Sequence, residues 1–385
     1  MSRRVLFYVQ HLLGIGHLKR AATLSRAVAA QGLTVTVVSG GLPVPGLDLG
    51  SARLEQLPAT RATDLFFKEL VDADNAPIDE TWRTQRRNRL IGLYEDLNPH
   101  IVLLELFPFG RRQMRFELLP LLDRAIARRR RPKIVSSVRD VLVGQHKPER
   151  NEEMRALVER YFDHVLVHGD PAFIPFEATF PLARTIAEKI RHTGYVVDRS
   201  GRGPSNVGQG RDEVVVSAGG GAVGLDLLLT AIAARPLSGL RDRVWRILVG
   251  VNMPAADFER VRALAEPGIV VERGRSDFPA LLTNATLSIS QGGYNTVMEA
   301  IEAGVRSVVV PYAGGIETEQ TLRIRELAQR TPLQVVDEVA LKPAALADAV
   351  DRAMAAERPD NRALDTRGGE TSARLLWQWA SATGW

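Results

Sequence analysis

The sequence predicts an α/β protein made of two doubly wound parallel-sheet domains that face each other across a cleft. Three observations carry that expectation. Short apolar runs alternate with segments of helical spacing through the first two hundred residues. A stretch rich in Gly, Ser and Arg, 198–212, interrupts the pattern, and a second strand-then-helix series begins beyond it. Repeated β-then-α units imply parallel sheets covered by helices, with ligands bound outside the carboxyl ends of the strands.

In chain order, Arg4 to Gln10 is an apolar strand, followed by the glycine-bearing turn Leu13 to His17. A helix follows over Lys19 to Gln31, with Ala22, Leu24, Ala27 and Val28 at helical spacing. Gly32 stops it, and Leu33 to Ser39 is the next strand. Ile101 to Leu106, Lys133 to Val138 and Val165 to His168 are apolar runs of the kind that parallel strands buried on both faces require. The segment His192 to Val197 closes a first domain, 1–197, which should bind the acceptor, and 198–212 reads as a linker. The second domain, 213–365, opens with the strand Glu213 to Ser217 and the helix Leu225 to Ala234. Strands follow at Trp245 to Gly250, Ile269 to Glu272, Thr286 to Ser290 and Val305 to Val310, then a helix over Leu341 to Glu357. A last helix, Thr371 to Ser381 within 366–385, is placed to pack back on the first domain.

Composition narrows the chemistry. The chain has 385 residues and no cysteine, which excludes disulfides, thiolate nucleophiles and Cys-ligated zinc. No run approaches the roughly 18 to 20 apolar residues that span a bilayer, and Val5 to Val9 is too short for the core of a signal peptide. A cytoplasmic protein is expected. The net charge is only +5, but between Arg111 and Lys133 nine basic residues face two acids, Glu117 and Asp123. Arg83, Arg86, Arg87 and Arg89 form a second basic cluster. Such a surface suits an anionic membrane, a lipid phosphate or nucleic acid.

Three glycine-bearing turns each join a strand to a helix: Gly14-Ile15-Gly16, Gly219-Gly220-Gly221 and Gly292-Gly293. Glycine lets backbone approach a ligand closely, and a helix N-terminus presents N–H groups and a positive dipole end to an anion. Each turn alone serves tight packing equally well. None has the spacing of a dinucleotide fingerprint or a P-loop. If Tyr294 opens a helix, Thr296 and Glu299 share one face. Glu299 is then either a ribose-binding carboxylate or a solvated acid favoured by the helix dipole.

The stretch Gln291-Gly292-Gly293-Tyr294-Asn295-Thr296, with Glu299, Ala303-Gly304-Val305, Val310-Pro311 and Glu319-Gln320, resembles the nucleotide-sugar box of GT-B glycosyltransferases. Within them it is most similar to glycosyltransferase family 28, which includes the enzyme that adds N-acetylglucosamine to the lipid-linked peptidoglycan precursor. The resemblance extends to Gly14 to His17, Ser217 to Ala222 and Thr193-Gly194, and so spans most of the chain. It implies a GT-B fold and an inverting hexosyltransferase that takes its sugar from a nucleotide diphosphate, a UDP-sugar foremost. It makes Gly219, Gly220, Gly221, Gly292 and Gly293 diphosphate contacts and Glu299 the ribose ligand. Glu319 with Gln320 would read sugar hydroxyls, and Arg273 to Phe278 would lie near the base through their backbone. Gly16, Ser217, Gln291, Asn295 and Thr296 complete the implied donor site. Many relatives carry His in place of Gln291, and the stretch Pro311 to Glu319 is longer than in many, which leaves Glu317 and Glu319 as alternatives.

Glycosyl transfer needs a base for the acceptor hydroxyl, and His17, after the first glycine turn, is the natural choice. The resemblance supports it, since related enzymes often use a His at this place; a surface or capping role is the plain alternative. Glu105, at the end of one strand, and Asp140, after another, are both placed by topology to orient the imidazole. The related GT-A enzymes hold a cation with Asp-x-Asp after a strand. Here Asp72-Ala73-Asp74 lies in a polar stretch with no strand expected before it, and solvated loop acids are the expectation. Helix N-termini would carry the leaving diphosphate instead, so no metal and no cofactor are expected.

The segment Phe107 to Phe116 sets aromatics beside arginines, ahead of a helix with Leu118, Leu119, Leu121, Leu122 and Ile126. It either docks on the inner face of a membrane or is an amphipathic helix with a solvated basic tail, Arg128 to Arg131. The acceptor is a hydroxyl compound, lipid-linked or anionic among the options. Two other functions stay in view. One is a nucleotide-sugar 2-epimerase on the same fold, disfavoured by the absence of an Arg-x-x-Thr-Glu-Arg-Pro-Glu stretch. The other is a non-catalytic nucleic-acid-binding protein, disfavoured because no aromatics interleave with the arginines as stacking platforms.

Overall fold

A computed structural model describes residues 3–64, 67, 69–142, 147–200, 208–221, 223–314, 319–360 and 364–382. Ala222, Glu317 and residues 201–207 of the expected linker lie outside the described residues. The chain forms two compact units, 1–196 with 365–385 and 197–364.

The first unit contains β1 (Arg4–Val9), α1 (Gly16–Ala30), β2 (Thr34–Ser39), β3 (Arg53–Gln56), β4 (Thr60–Ala62), β5 (Leu70–Asp72), α2 (Glu80–Leu97) and β6 (Ile101–Glu105). It continues with α3 (Arg115–Ile126), β7 (Lys133–Arg139), α4 (Pro148–Tyr161), β8 (His164–His168) and β9 (Ile190–His192). Seven strands form one sheet in the order β3-β2-β1-β6-β7-β8-β9, and every neighbouring pair is parallel. Strand order reverses between β1 and β6, the switch point at which open α/β sheets leave a crevice.

Alternation along β1 explains the covering helices. Leu6 and Tyr8 point to the core shared with Leu90 of α2, Leu118 of α3 and Val158 of α4. Val5, Phe7 and Val9 point to the opposite core, with Leu18 and Leu24 of α1.

The second unit contains β10 (Val214–Ser217), α5 (Leu225–Ala234), β11 (Trp245–Val249), α6 (Ala255–Arg262), β12 (Ile269–Arg273), α7 (Phe278–Asn284) and β13 (Leu287–Gln291). After these come α8 (Tyr294–Ala303), β14 (Arg306–Val310), α9 (Glu319–Ala328), β15 (Gln334–Val335) and α10 (Pro343–Ala355). Its six-stranded sheet runs β12-β11-β10-β13-β14-β15, again all parallel. The reversal falls between β10 and β13, the two strands that end in glycine turns. The last helix, α11 (Gly368–Ala382), belongs to the first unit: Ala373, Leu376 and Ala380 enter the core that holds α1. Trp379 stacks on His164 with ring centroids 3.8 Å apart.

Several expectations are corrected. Asp72 does follow a strand, because β5 pairs antiparallel with β4. Its carboxylate accepts the N–H groups of Asp74 and Ala76, each at 2.9 Å, which folds the acidic stretch into a tight turn. Arg86 is not part of a surface patch. It is fully buried and clasps Glu117 through Nε at 2.8 Å and Nη2 at 2.9 Å. It also donates to Gly40 O and to Gln10 Oε1. Phe107 and Phe109 lie in the core rather than on an interfacial face. Many arginines beyond them face acids of other elements: Arg115 meets Glu153, Arg124 and Arg128 meet Glu95, and Arg131 meets Asp163.

Candidate active site

In the first unit α1 starts at Gly16, three residues earlier than its apolar spacing predicts, so His17 stands in the helix's first turn. Glu105 closes β6. Because β6 pairs directly with β1, with Tyr8 opposite Leu104, the start of α1 and the end of β6 meet at the switch point. His17 Nδ1 lies 2.9 Å from Glu105 Oε1. The same oxygen accepts Arg20 Nη2, one helical turn along α1, and Oε2 accepts the Ser137 hydroxyl at 2.8 Å. Glu105 is fully buried while His17 keeps 14% of its side chain exposed.

The other ring nitrogen, Nε2, receives Arg139 Nη2 at 3.3 Å. A guanidinium only donates, so Nε2 carries a lone pair and Nδ1 carries the hydrogen directed at Glu105. That tautomer is the one a general base needs. Burial depresses the His17 pKa well below its ordinary value, and the cationic Arg111, Arg139 and Arg20 depress it further. Arg111 donates Nε to Gln10 O at 2.6 Å, and burial lowers its own pKa to about 10. Leu106 (φ 68) and Arg111 (φ 58) hold left-handed backbone conformations on either side of the loop that leaves Glu105. L side chains rarely adopt that region.

It is Glu105, not Asp140, that His17 contacts. Asp140 follows β7, one strand beyond β6, and its carboxylate turns back to accept Val141 N at 2.9 Å. Sheet order decides between the two acids: only β6 borders the strand that leads into α1.

In the second unit the two expected glycine turns come together. Ser217 Oγ accepts Gly219 N at 3.1 Å, and Gly219 sits at φ +76, where a Cβ would lie 3.8 Å from Thr296 Oγ1 in the first turn of α8. Gly224, the N-cap of α5, has φ +100, and a Cβ there would press Gln291 at 3.0 Å. The Gln291 side chain therefore packs against the N-cap of α5. Gly220 and Gly221 are half-buried, and Gly221 O and Gly219 O crowd against Gly250 after β11. Gly293 caps α8, whose next residues are Tyr294, Asn295 and Thr296. Glu299 lies one turn further in, half-exposed.

Gln320 packs against Gly292 and accepts Tyr312 N at 3.1 Å. Glu319 is buried and takes Arg323 Nη2 at 2.7 Å, and Arg323 lies 5.1 Å over the Tyr294 ring. Arg273 spends its guanidinium on Gly250 O (3.0 Å) and Met253 O (2.9 Å), bracing the loop beneath the glycine turn. Phe278 packs against Leu281 and Leu282. Among the described residues no three His, Asp or Glu side chains gather as a metal-ligand set, and no helix is long and apolar enough to cross a membrane.

Sequence reasoning did not single out Arg20, Ser137, Arg139, His168 or Arg323. All but Ser137 left a faint signal. Arg20 interrupts the apolar face of α1, Arg139 and His168 end parallel strands, and Arg323 is four residues from Glu319.

Residues 258–372 match the family model described as the glycosyltransferase family 28 C-terminal domain. All but the last eight of these residues lie in the second unit. With two parallel-sheet units of this topology, the chain is a GT-B glycosyltransferase, an enzyme that moves a sugar from a nucleotide-linked donor. A Sphingopyxis alaskensis UDP-N-acetylglucosamine–N-acetylmuramyl-(pentapeptide) pyrophosphoryl-undecaprenol N-acetylglucosamine transferase is 26% identical over 366 residues, 90% of this chain and 86% of the relative. The same-named Ralstonia nicotianae protein is 33% identical over 97 residues, 25% of each chain. Among solved structures, the calicheamicin glycosyltransferase CalG4 superposes with a TM-score of 0.59 at 17% identity, covering 100% of this chain and 96% of its own. MurG of Acinetobacter baumannii superposes with a TM-score of 0.56 at 14% identity and 99% coverage of both.

Proposed function

We propose that this glycosyltransferase is metal-independent and inverting, and moves a sugar from a UDP-linked donor to the hydroxyl of an anionic, lipid-linked acceptor at a membrane's inner face. The observation that carries the reading is the meeting of the Gly219 turn with the N-terminus of α8 at Thr296. Two glycine turns and a helix dipole converging on one spot suit a diphosphate, and they can stabilise it as it leaves without a cation. Glu299, one turn into α8, suits the ribose diol, and Glu319 with Gln320 suits the sugar. The choice of UDP is supported by the donor that the Sphingopyxis relative's name gives.

The acceptor hydroxyl displaces Arg139 from His17 Nε2 and gives its proton to that nitrogen. Its oxygen attacks the anomeric carbon as the bond to the diphosphate breaks on the opposite face, which inverts the configuration. Glu105 then faces an imidazolium rather than an imidazole and stabilises it. Arg111 and Arg139 beside the base favour an anionic acceptor.

Calorimetric titration with UDP, dTDP, GDP and ADP, each with and without EDTA, tests the donor. Tight, EDTA-insensitive binding of UDP alone is expected. Binding that EDTA abolishes would remove metal independence, and no binding by any of the four would overturn the donor reading.

A further inference from the structure

Behind the His17–Glu105 pair runs a line of buried polar groups that a base and its acid do not by themselves require. Ser137 Oγ is 2.8 Å from Glu105 Oε2 and 2.9 Å from His168 Nε2. His168 Nδ1 is 2.9 Å from Thr193 Oγ1. Ser137 and His168 are fully buried and Thr193 nearly so. Strand pairing assembles them: Ser137 on β7 stands opposite Glu105 on β6, and His168 ends β8 opposite Arg139. Beyond Thr193 the chain passes Gly194 to Tyr195, whose N–H donates to Asp365 O at 2.7 Å, so the far end is anchored where the chain leaves the unit and returns. A leucine at 168 would bury more cheaply than an imidazole that must satisfy two nitrogens.

The hydrogens can be assigned one by one. The Glu105 carboxylate, already partner to Arg20, only accepts, so the single Ser137 hydrogen goes to it. The contact between Ser137 and His168 must then be an Nε2–H donated to Ser137 Oγ. A neutral ring with its hydrogen on Nε2 accepts at Nδ1, and the Thr193 hydroxyl supplies that hydrogen. Burial, helped by the charge of Arg20, holds His168 well below its ordinary pKa and so keeps the ring neutral. In the reverse polarity Thr193 would donate to Gly194 O, 2.9 Å away, and Ser137 to His168, which would take a donor from Glu105.

We propose that His168, in its Nε2–H tautomer, is a positioning residue: through Ser137 it aims the Glu105 carboxylate at His17 Nδ1, leaving His17 Nε2 to take the acceptor's proton. The inference rests on His17 being the base. Three donors then converge on one carboxylate, which fixes both its rotamer and the ring it faces. Such outer partners typically change activity by about 10- to 100-fold when removed in comparable sites.

The test uses the full chain with ¹⁵N-labelled histidine and no substrate. Ring nitrogen shifts of its 7 histidines are followed between about pH 5 and 9, in wild type, Ser137→Ala, His168→Leu and His168→Gln. The groups facing His17 are Glu105 on β6, Arg20 on α1, Arg139 on β7, Arg111 and His11, and the charge facing His168 is Arg20. Wild-type His168 should stay neutral with hydrogen on Nε2, and His17 should carry its hydrogen on Nδ1. Losing the Ser137 donor in Ser137→Ala, or the Nε2–H that aims it in His168→Leu, leaves Glu105 a stronger partner for an imidazolium, so the His17 midpoint should rise by about threefold in proton affinity in both variants. His168→Gln, whose amide N–H can stand in for Nε2–H, should restore it. A hydrogen on Nδ1 of wild-type His168, which needs no variant to observe, overturns the inference. So does an unchanged His17 midpoint in both severing variants. UDP affinity is measured alongside. If even the wild type fails to bind UDP, the donor reading falls while the His168 result still stands or falls by the spectra.

Discussion

At His17 the surroundings decide the chemistry. An exposed histidine is partly protonated near neutral pH, but this one is partly buried beside Arg111, Arg139 and Arg20, all of which oppose a further positive charge. It is therefore neutral at pH 7 and able to accept a proton. The sign follows directly: activity that needs neutral His17 is full at neutral pH and is lost as pH falls through the depressed pKa. The acid limb of kcat/KM against pH should lie below His17's ordinary value of about 6.5, and Arg139→Gln, by removing a cation, should move it upward. A limb at or above that value in wild type would show that His17 is not the base. The sequence made His17 a candidate but left Glu105 and Asp140 equal, because choosing between them needs the sheet order, which no local pattern carries. Ser137 was silent for the same reason, and Arg139 and His168 nearly so. Each is unremarked in its own strand and gains meaning only from the strand beside it.

Among the elements, those with strong periodicity were legible and those held by polar contacts were not. The helix Leu225–Ala234 was read to the residue, and the apolar central strands to within one or two positions. The hairpin β4–β5 was missed because three-residue strands carry too little alternation to register. The helix α2 was missed as well, since its inward face is anchored by a charge. Arg86 reads as one of four surface arginines, yet it joins α2 to α3 and β1 through Glu117, Gln10 and Tyr8. Breaking one side of such a pair strands a buried charge. Arg86→Met should therefore destabilise the first unit by about 3–5 kcal/mol, whereas replacing Arg86 and Glu117 together by apolar residues should cost much less. Urea unfolding followed by circular dichroism checks both, and an Arg86→Met variant as stable as wild type would show that the pair contributes nothing.

Across the whole molecule, the division into two parallel-sheet units was legible because the chain repeats its β-then-α rhythm on each side of a polar, glycine-rich stretch. The strand orders were not, and each places a switch point beside its central strand. That placement also accounts for the division of chemistry. The switch point of one sheet brings His17 to Glu105, the proposed base and its partner, and that of the other brings the Gly219 turn to the start of α8, the proposed anion cradle. In the basic segment 107–133, prominent in the sequence, Phe107 and Phe109 turn into the core while Phe116 stays partly exposed. The central claim is that the donor nucleotide belongs to the cradle and the proton to the base. Calorimetric titration of UDP into wild type, Glu299→Ala and His17→Ala, all in EDTA, tests it most directly. Loss of a charged hydrogen bond to the ribose should weaken binding about 10- to 100-fold in Glu299→Ala, with His17→Ala indistinguishable from wild type. Equal affinity in Glu299→Ala, or a comparable loss in His17→Ala, would contradict that division.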